Sequence, residues 1–409
     1  MTSSRVASIA LAFATAGAAL VATGCKHDKG DAHAPPTTPP AVTPGAGTGT
    51  GSGGAAANDP RLVAAAELYR THCALCHGPQ MLGYAADNAP SLVNPTFLAS
   101  VDDAFLARSI ELGRPGTAMA GYGRDVGGPL DDKQIADLIA LFRSKGPPRE
   151  PLPPAPTGGD PTRGAAIYTD SCKKCHGDPT QRGTAPHLAN PVFISTVRDE
   201  LLVHAIRHGR PGTPMEAFTL TDPQIADVIA LLRSWAPNQP ARPPVTPPPP
   251  PPEDGPVVIN PKGKAPSFTL REDRFVPADQ VKAALDAKRR LVIIDARPPS
   301  DWSQLRIPGA ISMPHYEAPQ KAARVPNDGT WVVAYCACPH HASGEVVDEL
   351  RRRGYEHTAV LDEGILVWAQ KGYPVEGASA EALKKAAAPA PIPSAPPVLP
   401  TDPNPPKPR

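Results

Sequence analysis

The chain has 409 residues and a formal net charge of +1, enough length for two to four domains. A near-neutral balance gives no electrostatic footprint for nucleic acid, so no nucleic-acid partner is expected. Proline is the outlier at 56 residues, gathered mostly in tracts that read as linkers. The seven cysteines divide among separate motifs, which leaves no structural disulfide apart from a strained bond between Cys336 and Cys338.

Arg5 is the only charge in the first 25 residues, and Val6 to Ala22 is an apolar, alanine-rich run ending in Ala22-Thr23-Gly24-Cys25. A positive start, an apolar run and small residues before a break read as a secretory signal peptide over residues 1–24. Cysteine directly after those small residues resembles a bacterial lipobox. The resemblance implies cleavage before Cys25, lipidation of its thiol and attachment of the mature chain to a membrane on the periplasmic side. Residues 25–58 are Gly, Ala, Pro and Thr with almost no large apolar side chain, and are expected to be a disordered tether.

Cys73-Ala74-Leu75-Cys76-His77 follows, and recurs as Cys172-Lys173-Lys174-Cys175-His176. Two cysteines two residues apart with histidine next is the attachment signature of c-type haem. The two thiols bind the vinyl groups of one porphyrin, and the adjacent imidazole reaches its iron. Cys73, Cys76, Cys172 and Cys175 are therefore the attachment residues, and His77 and His176 the proximal ligands, of two covalent haems. A zinc half-site or a redox Cys-x-x-Cys explains one occurrence but not two in matching surroundings.

The match extends to the flanks. Asp59-Pro60 and Asp160-Pro161 are helix starts with proline at the first helical position. Tyr69 and Tyr168 each stand four residues before the first cysteine, on the same helix face. Ala89-Pro90 matches Ala185-Pro186, and Asn94-Pro95 matches Asn190-Pro191. Middle helices are expected over 102–112 and 198–208. Gly113-Arg114-Pro115-Gly116-Thr117-Ala118-Met119 then parallels Gly209-Arg210-Pro211-Gly212-Thr213-Pro214-Met215. The last helices carry apolar stripes, Ile135, Leu138, Ile139, Phe142 and Ile225, Val228, Ile229, Leu232. Asp131 with Gln134, and Thr221 with Gln224, have capping-box spacing.

This order of elements resembles class I cytochrome c over residues 59–146 and 159–236, with a short linker at 147–158. The resemblance implies two small all-α domains, each with a distal methionine, Met119 and Met215. A thioether favours ferrous iron and raises the potential. His187 and His204 are rival ligands in the second copy only, and Met81 follows His77 too closely. Arg114 and Arg210 either neutralise a haem propionate or are solvated turn residues. With imidazole and thioether on both faces, such sites pass electrons and bind no small ligand.

Residues 237–265 include six consecutive prolines, Pro247 to Pro252, which read as a stiff linker. Beyond it the pattern changes. Leu291 to Asp295, Trp331 to Tyr335 and His357 to Leu361 read as buried strands, with helices from Gly344 to Arg353 and Ile365 to Gln370. Alternation of this kind means an α/β domain with a parallel sheet. Cys336 leaves a strand just before a helix, where backbone N–H groups and the helix dipole favour a thiolate.

Ile294-Asp295-Ala296-Arg297, Ile307-Pro308-Gly309-Ala310-Ile311, Tyr335-Cys336 and Leu361-Asp362-Glu363-Gly364 with Trp368 resemble a rhodanese domain over 266–377. The resemblance implies that Cys336 accepts a sulfane sulfur as a persulfide, with Asp295 closing the site from the first strand. Cys338 would resolve that persulfide or itself be the acceptor. The loop from Cys336 to Ser343 holds no arginine, so His340, His341 or backbone amides would meet an anion. The alternative is a rhodanese fold kept as a non-catalytic docking module. Residues 378–409 read as a disordered tail. The whole is expected to be a periplasmic, lipid-anchored di-haem cytochrome with respiratory-chain redox partners and small sulfur compounds as substrates. Electrons are expected to run from sulfur chemistry at Cys336 to the second haem and then the first.

Overall fold

The computed structural model describes residues 59–84, 89–236, 248–253, 255–337 and 340–378. The export segment, Cys25 and its tether, the first part of the proline-rich linker, Cys338 and the tail from residue 379 lie outside the described residues. Among the described residues no helix is long and apolar enough to cross a membrane.

The first repeat is five helices: α1 (Pro60–His72), α2 (Ala74–His77), α3 (Pro95–Ser100), α4 (Asp103–Leu112) and α5 (Asp132–Arg143). The second repeats them as α6 (Pro161–Ser171), α7 (Lys173–His176), α8 (Pro191–Thr196), α9 (Asp199–His208) and α10 (Asp222–Ser234), with a small hairpin of β1 (Gly177–Asp178) and β2 (Gln181–Arg182) after α7. Both middle helices begin one residue later than expected. In the first, Asp102 is the cap, its carboxylate accepting from the Phe105 N–H at 2.7 Å. Both last helices carry the complete capping box.

First and last helix pack in each repeat, α1 on α5 and α6 on α10, with the apolar stripes of α5 and α10 buried. An acid on the last helix ties each pair. Arg61 donates to Asp137 at 2.5 Å, and Arg163 donates to both oxygens of Asp227 at 2.8 and 2.7 Å. At Gly164 the two helices touch: a Cβ there would lie 2.1 Å from the Asp227 carbonyl oxygen, so only glycine fits. The two repeats share one apolar core, in which Phe105 meets Phe193 edge to face.

The third domain is a five-stranded parallel sheet, in the order β3 (Phe275–Val276), β7 (Thr358–Leu361), β6 (Trp331–Tyr335), β4 (Leu291–Asp295), β5 (Ile311–Ser312). Helices α11 (Ala278–Asp286), α12 (Pro299–Gln304), α13 (Ala318–Lys321), α14 (His341–Arg352) and α15 (Gly364–Gln370) complete it. Continuous burial of β4, β6 and β7 on both faces matches their unbroken apolar runs. The outer strands β3 and β5 are two residues each, too short for a periodic signal. Two expectations are corrected. Asp295 lies on the second strand in chain order, because β3 precedes it. The end of the expected linker is bound to the sheet, because the Ile259 N–H donates to the Leu291 carbonyl at 2.8 Å.

Candidate functional site

Each Cys-x-x-Cys-His segment is a tight turn continuing the first helix of its repeat. The Cys73 carbonyl accepts from the N–H groups of Cys76 (3.2 Å) and His77 (2.9 Å), and Cys172 accepts from Cys175 (3.2 Å) and His176 (3.0 Å). Both thiols of each pair are thereby carried on one turn. Glycine follows at positive φ, Gly78 at 78° and Gly177 at 74°, where a side chain would be strained. The tyrosine four residues before each pair locks the turn: Tyr69 Oη donates to the Gly78 carbonyl at 2.6 Å and Tyr168 Oη to the Gly177 carbonyl at 2.9 Å. Its sequence position was legible; this bond was not.

Both histidines are oriented by a proline carbonyl. His77 Nδ1 lies 3.1 Å from the Pro90 oxygen and His176 Nδ1 lies 2.7 Å from the Pro186 oxygen. A carbonyl can only accept, so Nδ1 carries the hydrogen and Nε2 is the nitrogen with a lone pair for a metal. Burial pushes the Cys73 thiol up to about 12 and the Cys172 thiol up to about 11. Thiols so hard to ionise are poor redox nucleophiles. Among the described residues no group of three or more His, Cys, Asp or Glu side chains is placed to hold a metal ion.

The methionine loops are superposable bond by bond. Arg114 N–H donates to the Met119 carbonyl at 2.7 Å, and Arg210 to Met215 at 2.8 Å. Thr117 and Thr213 hydroxyls each donate to the arginine carbonyl at 2.7 Å and accept from the methionine N–H at 3.0 and 3.2 Å. Both methionines are half-buried. Two of the rivals are engaged elsewhere: His187 Nε2 sits 2.8 Å from the Asp178 carbonyl and Met81 is in the core of the first repeat, while the His204 ring lies tilted against His208.

Arg114 and Arg210 are partly buried, and burial brings both guanidinium groups down to about 10. Arg114 donates to Ser109 Oγ at 2.6 Å and lies over Phe105 and Phe193; Arg210 lies over Phe97. Among the described residues no carboxylate pairs with either. Two partly buried cations without a carboxylate partner among the described residues, together with oriented imidazoles and paired thiols, suit a ligand with carboxylates, a metal and two thioether positions. That donor set fits haem c.

Cys336 follows β6 at the carboxyl end of the sheet, and its Sγ lies 3.2 Å from Ser343 Oγ. The next helix, α14, starts three residues earlier than expected because His340 takes a left-handed conformation (φ 77°) and its carbonyl accepts from Gly344. Cys336 is 2% exposed. Asp295 is fully buried and spends its carboxylate on structure: Arg297 donates from Nε at 2.9 Å and Nη2 at 2.7 Å, and Tyr335 Oη at 2.9 Å. It is in register beside Tyr335, one residue from Cys336, and organises the strand end through Tyr335. Nearby Asp301 is pushed up to about 6 by burial. His340 is engaged by Asp362: Nε2 is 2.6 Å from the Asp362 carbonyl and 3.0 Å from its carboxylate, and the ring lies tilted against Phe275.

The expected electron order, from Cys336 to the second haem and then the first, puts the second repeat nearer this domain than the structure does. The first repeat lies there: α2 touches α14, and Leu75 and Ala118 pack on the apolar cluster that contains Cys336.

The fold and these sites define a multidomain c-type cytochrome with an appended α/β sulfurtransferase-like domain. The model for cytochrome c oxidase, cbb3-type, subunit III matches residues 60–141 and 159–232, and the rhodanese-like domain model matches 277–371. The chain thus carries two cytochrome c domains of the cbb3 type followed by a rhodanese-like domain. It is 28% identical over 171 residues to the cbb3-type cytochrome c oxidase subunit FixP of Bradyrhizobium sp. (strain ORS 278), covering 38% of this chain and 55% of that protein. It is 40% identical over 84 residues to the dihydro-heme d1 dehydrogenase of Pseudomonas aeruginosa, covering 20% of this chain and 15% of that one. It is 27% identical over 100 residues to a sulfurtransferase of Allochromatium vinosum, covering 24% of this chain and 92% of that protein. The chain spans about half the length of the oxidase subunits it matches and a smaller part of the dehydrogenase.

Proposed function

We propose that this protein is a di-haem electron carrier of a bacterial respiratory chain, held at the periplasmic face of a membrane through Cys25, whose rhodanese-like domain takes sulfane sulfur on Cys336. The observation that carries the reading is the duplicated pair of contacts, His77 to Pro90 and His176 to Pro186, each on a Cys-x-x-Cys turn. In it, Cys73 and Cys76 hold one porphyrin and Cys172 and Cys175 the other. His77 and Met119 would hold one iron, and His176 and Met215 the other. Haem iron so ligated supplies a one-electron couple. The chain's work is to keep that couple closed to small ligands: Pro90 and Pro186 fix the imidazoles, the Thr117 and Thr213 loops fix the thioethers, and Arg114 and Arg210 offset anionic charge in a buried seam.

At Cys336, the thiolate attacks the sulfane sulfur of a donor such as thiosulfate. The S–S bond of the donor breaks, sulfite leaves with the electron pair, and Cys336 keeps the sulfur as a persulfide. Ser343 Oγ, 3.2 Å from Cys336 Sγ, and the N-terminal end of α14 would help to hold that charge. Cys338 would take the outer sulfur onward as its own persulfide, or attack Cys336 Sγ to close a disulfide and release hydrosulfide. Covalent haem staining of the exported protein, and mass spectrometry of Cys336 after incubation with thiosulfate, test the two halves separately. Two attached haems and a mass gain of one sulfur atom are expected. No haem stain overturns the first half; no sulfur on Cys336 overturns the second.

A specific observation favours a second reading of the rhodanese-like domain. Cys336 is almost fully buried and its loop has no arginine, as a docking module without turnover would allow. Unreactive Cys336 in every donor tested is the outcome that selects it.

A further inference from the structure

We propose that cytochrome domain 1 is docked as a cap beside Cys336 and the start of α14 and controls access to that thiol; this rests on the reading of Cys336 as the sulfur-accepting group. The seam is built from the haem-attachment segment itself. Leu75 lies between Cys73 and Cys76, and Ala118 lies beside Met119. Both pack on the apolar cluster that includes Ala296, Met313, Cys336 and Ala342. Around them the contact continues. Tyr84 meets His341, the first residue of α14, edge-on at 6.3 Å. His72 meets Tyr316 edge-on at 4.5 Å. Ser300 Oγ donates to the Gly121 carbonyl at 2.5 Å in a buried position.

The two cytochrome domains are not equivalent for this purpose. Where domain 1 has Leu75, the matching position of domain 2 is Lys174, exposed beside Lys173. The residue before the first cysteine is His72 in one and Ser171 in the other. An ammonium at the centre of an apolar seam would be left without water or a partner. Domain 2 therefore cannot dock in the same way, and the cap is a property of domain 1. A thiol in such a seam reacts at the rate at which the seam opens, so the domain that carries the first haem sets when sulfur reaches Cys336. The docked arrangement also keeps any persulfide away from outside thiols.

The test uses the full haem-loaded chain with Cys25→Ser and Cys338→Ser, which leaves Cys336 as the one thiol not committed to haem. Alkylation by N-ethylmaleimide is followed by mass spectrometry in this parent, in Leu75→Glu, in Leu75→Met and in Ser300→Arg. A charged residue at position 75 is compatible with attachment, since Lys174 occupies its counterpart; haem stain and visible spectrum verify this. Ser300→Arg breaks the seam from the other side and serves if Leu75→Glu fails to load haem. Slow alkylation is expected in the parent and in Leu75→Met. In Leu75→Glu and Ser300→Arg it should rise at least about tenfold, the change produced by roughly 1.4 kcal/mol of lost docking energy. Equal rates in the parent and a haem-loaded seam variant overturn the cap. Fast alkylation with no sulfur uptake from thiosulfate overturns the sulfur reading and leaves the cap standing.

Discussion

Asn94 and Asn190 reach into each other's domain in the same way. Asn94 Nδ2 donates to the Pro211 carbonyl at 2.9 Å, and Asn190 Nδ2 donates to the Pro115 carbonyl at 3.0 Å. Each also caps its own helix, Oδ1 accepting from Phe97 at 3.1 Å and Phe193 at 3.2 Å. The prolines they hold lie four residues before Met215 and Met119. Each domain's methionine loop is thus braced by the other domain's helix cap.

That exchange predicts crossed effects. Asn94→Asp keeps the cap and loses the donor, at a cost of about 1–3 kcal/mol for the unsatisfied contact. The sulfur-to-iron absorption of the second haem should fade at lower temperature, with the first haem less affected. Asn190→Asp should do the reverse. Thermal spectra of each variant in two backgrounds, Met119→Leu and Met215→Leu, so that each haem is read alone, check this. Loss in the variant's own domain alone would mean the bracing is absent.

Met119→Leu and Met215→Leu should each remove about half of the sulfur-to-iron absorption while leaving haem attached, because attachment depends on the cysteines. Each should lower the potential of one haem only, since the soft ligand that favours ferrous iron is gone. Spectroelectrochemical titration is the measurement. A variant with unchanged absorption identifies a different distal ligand in that domain.

Much of this was legible in the sequence because the repeat supplied its own control. Capping boxes, the buried stripes of α5 and α10, and the Arg-Pro-Gly-Thr loops all stand where spacing placed them. The partners of His77 and His176 were not legible. A backbone carbonyl carries no residue signature, and Pro90 and Pro186 read only as a turn. The two-residue strands β3 and β5 left no periodic trace. The contact of Leu75 with the Cys336 cluster joins residues far apart in the chain, and no local pattern encodes it. Asp295 was legible as a key residue, but its work with Arg297 and Tyr335 is visible only in three dimensions.

Asp295→Ala should be chiefly a folding lesion. It strands the buried Arg297 guanidinium, which burial opposes and which the Asp295 and Asp301 carboxylates hold in its charged form. Breaking such a pair from one side costs about 3–5 kcal/mol. Denaturant unfolding of the rhodanese-like domain should show that loss. A variant that keeps full stability but loses sulfur uptake would instead place Asp295 in the chemistry.

The seam between cytochrome domain 1 and the rhodanese-like domain should weaken in acid. Burial, and then His315, bring His72 down to about 4 from an ordinary value of 6.5, and burial also lowers His315. The rings facing His72 are Tyr122 of its own domain and Tyr316 from across the seam. The docked state therefore binds fewer protons than the undocked one. Docking is at full strength above pH 6.5 and is lost progressively as pH falls from there toward 4. Small-angle scattering should show the chain expanding over that window, and His72→Phe should flatten the response. Expansion unchanged in His72→Phe assigns the pH dependence to other groups.

The account stands most directly on two iron porphyrins held covalently, each between an imidazole and a thioether. A quantitative visible and near-infrared spectrum of the purified, oxidised protein measures both at once. Two haems per chain with sulfur-to-iron absorption scaled to two methionine-ligated irons is the predicted result. One haem, none, or a spectrum without that absorption would contradict it.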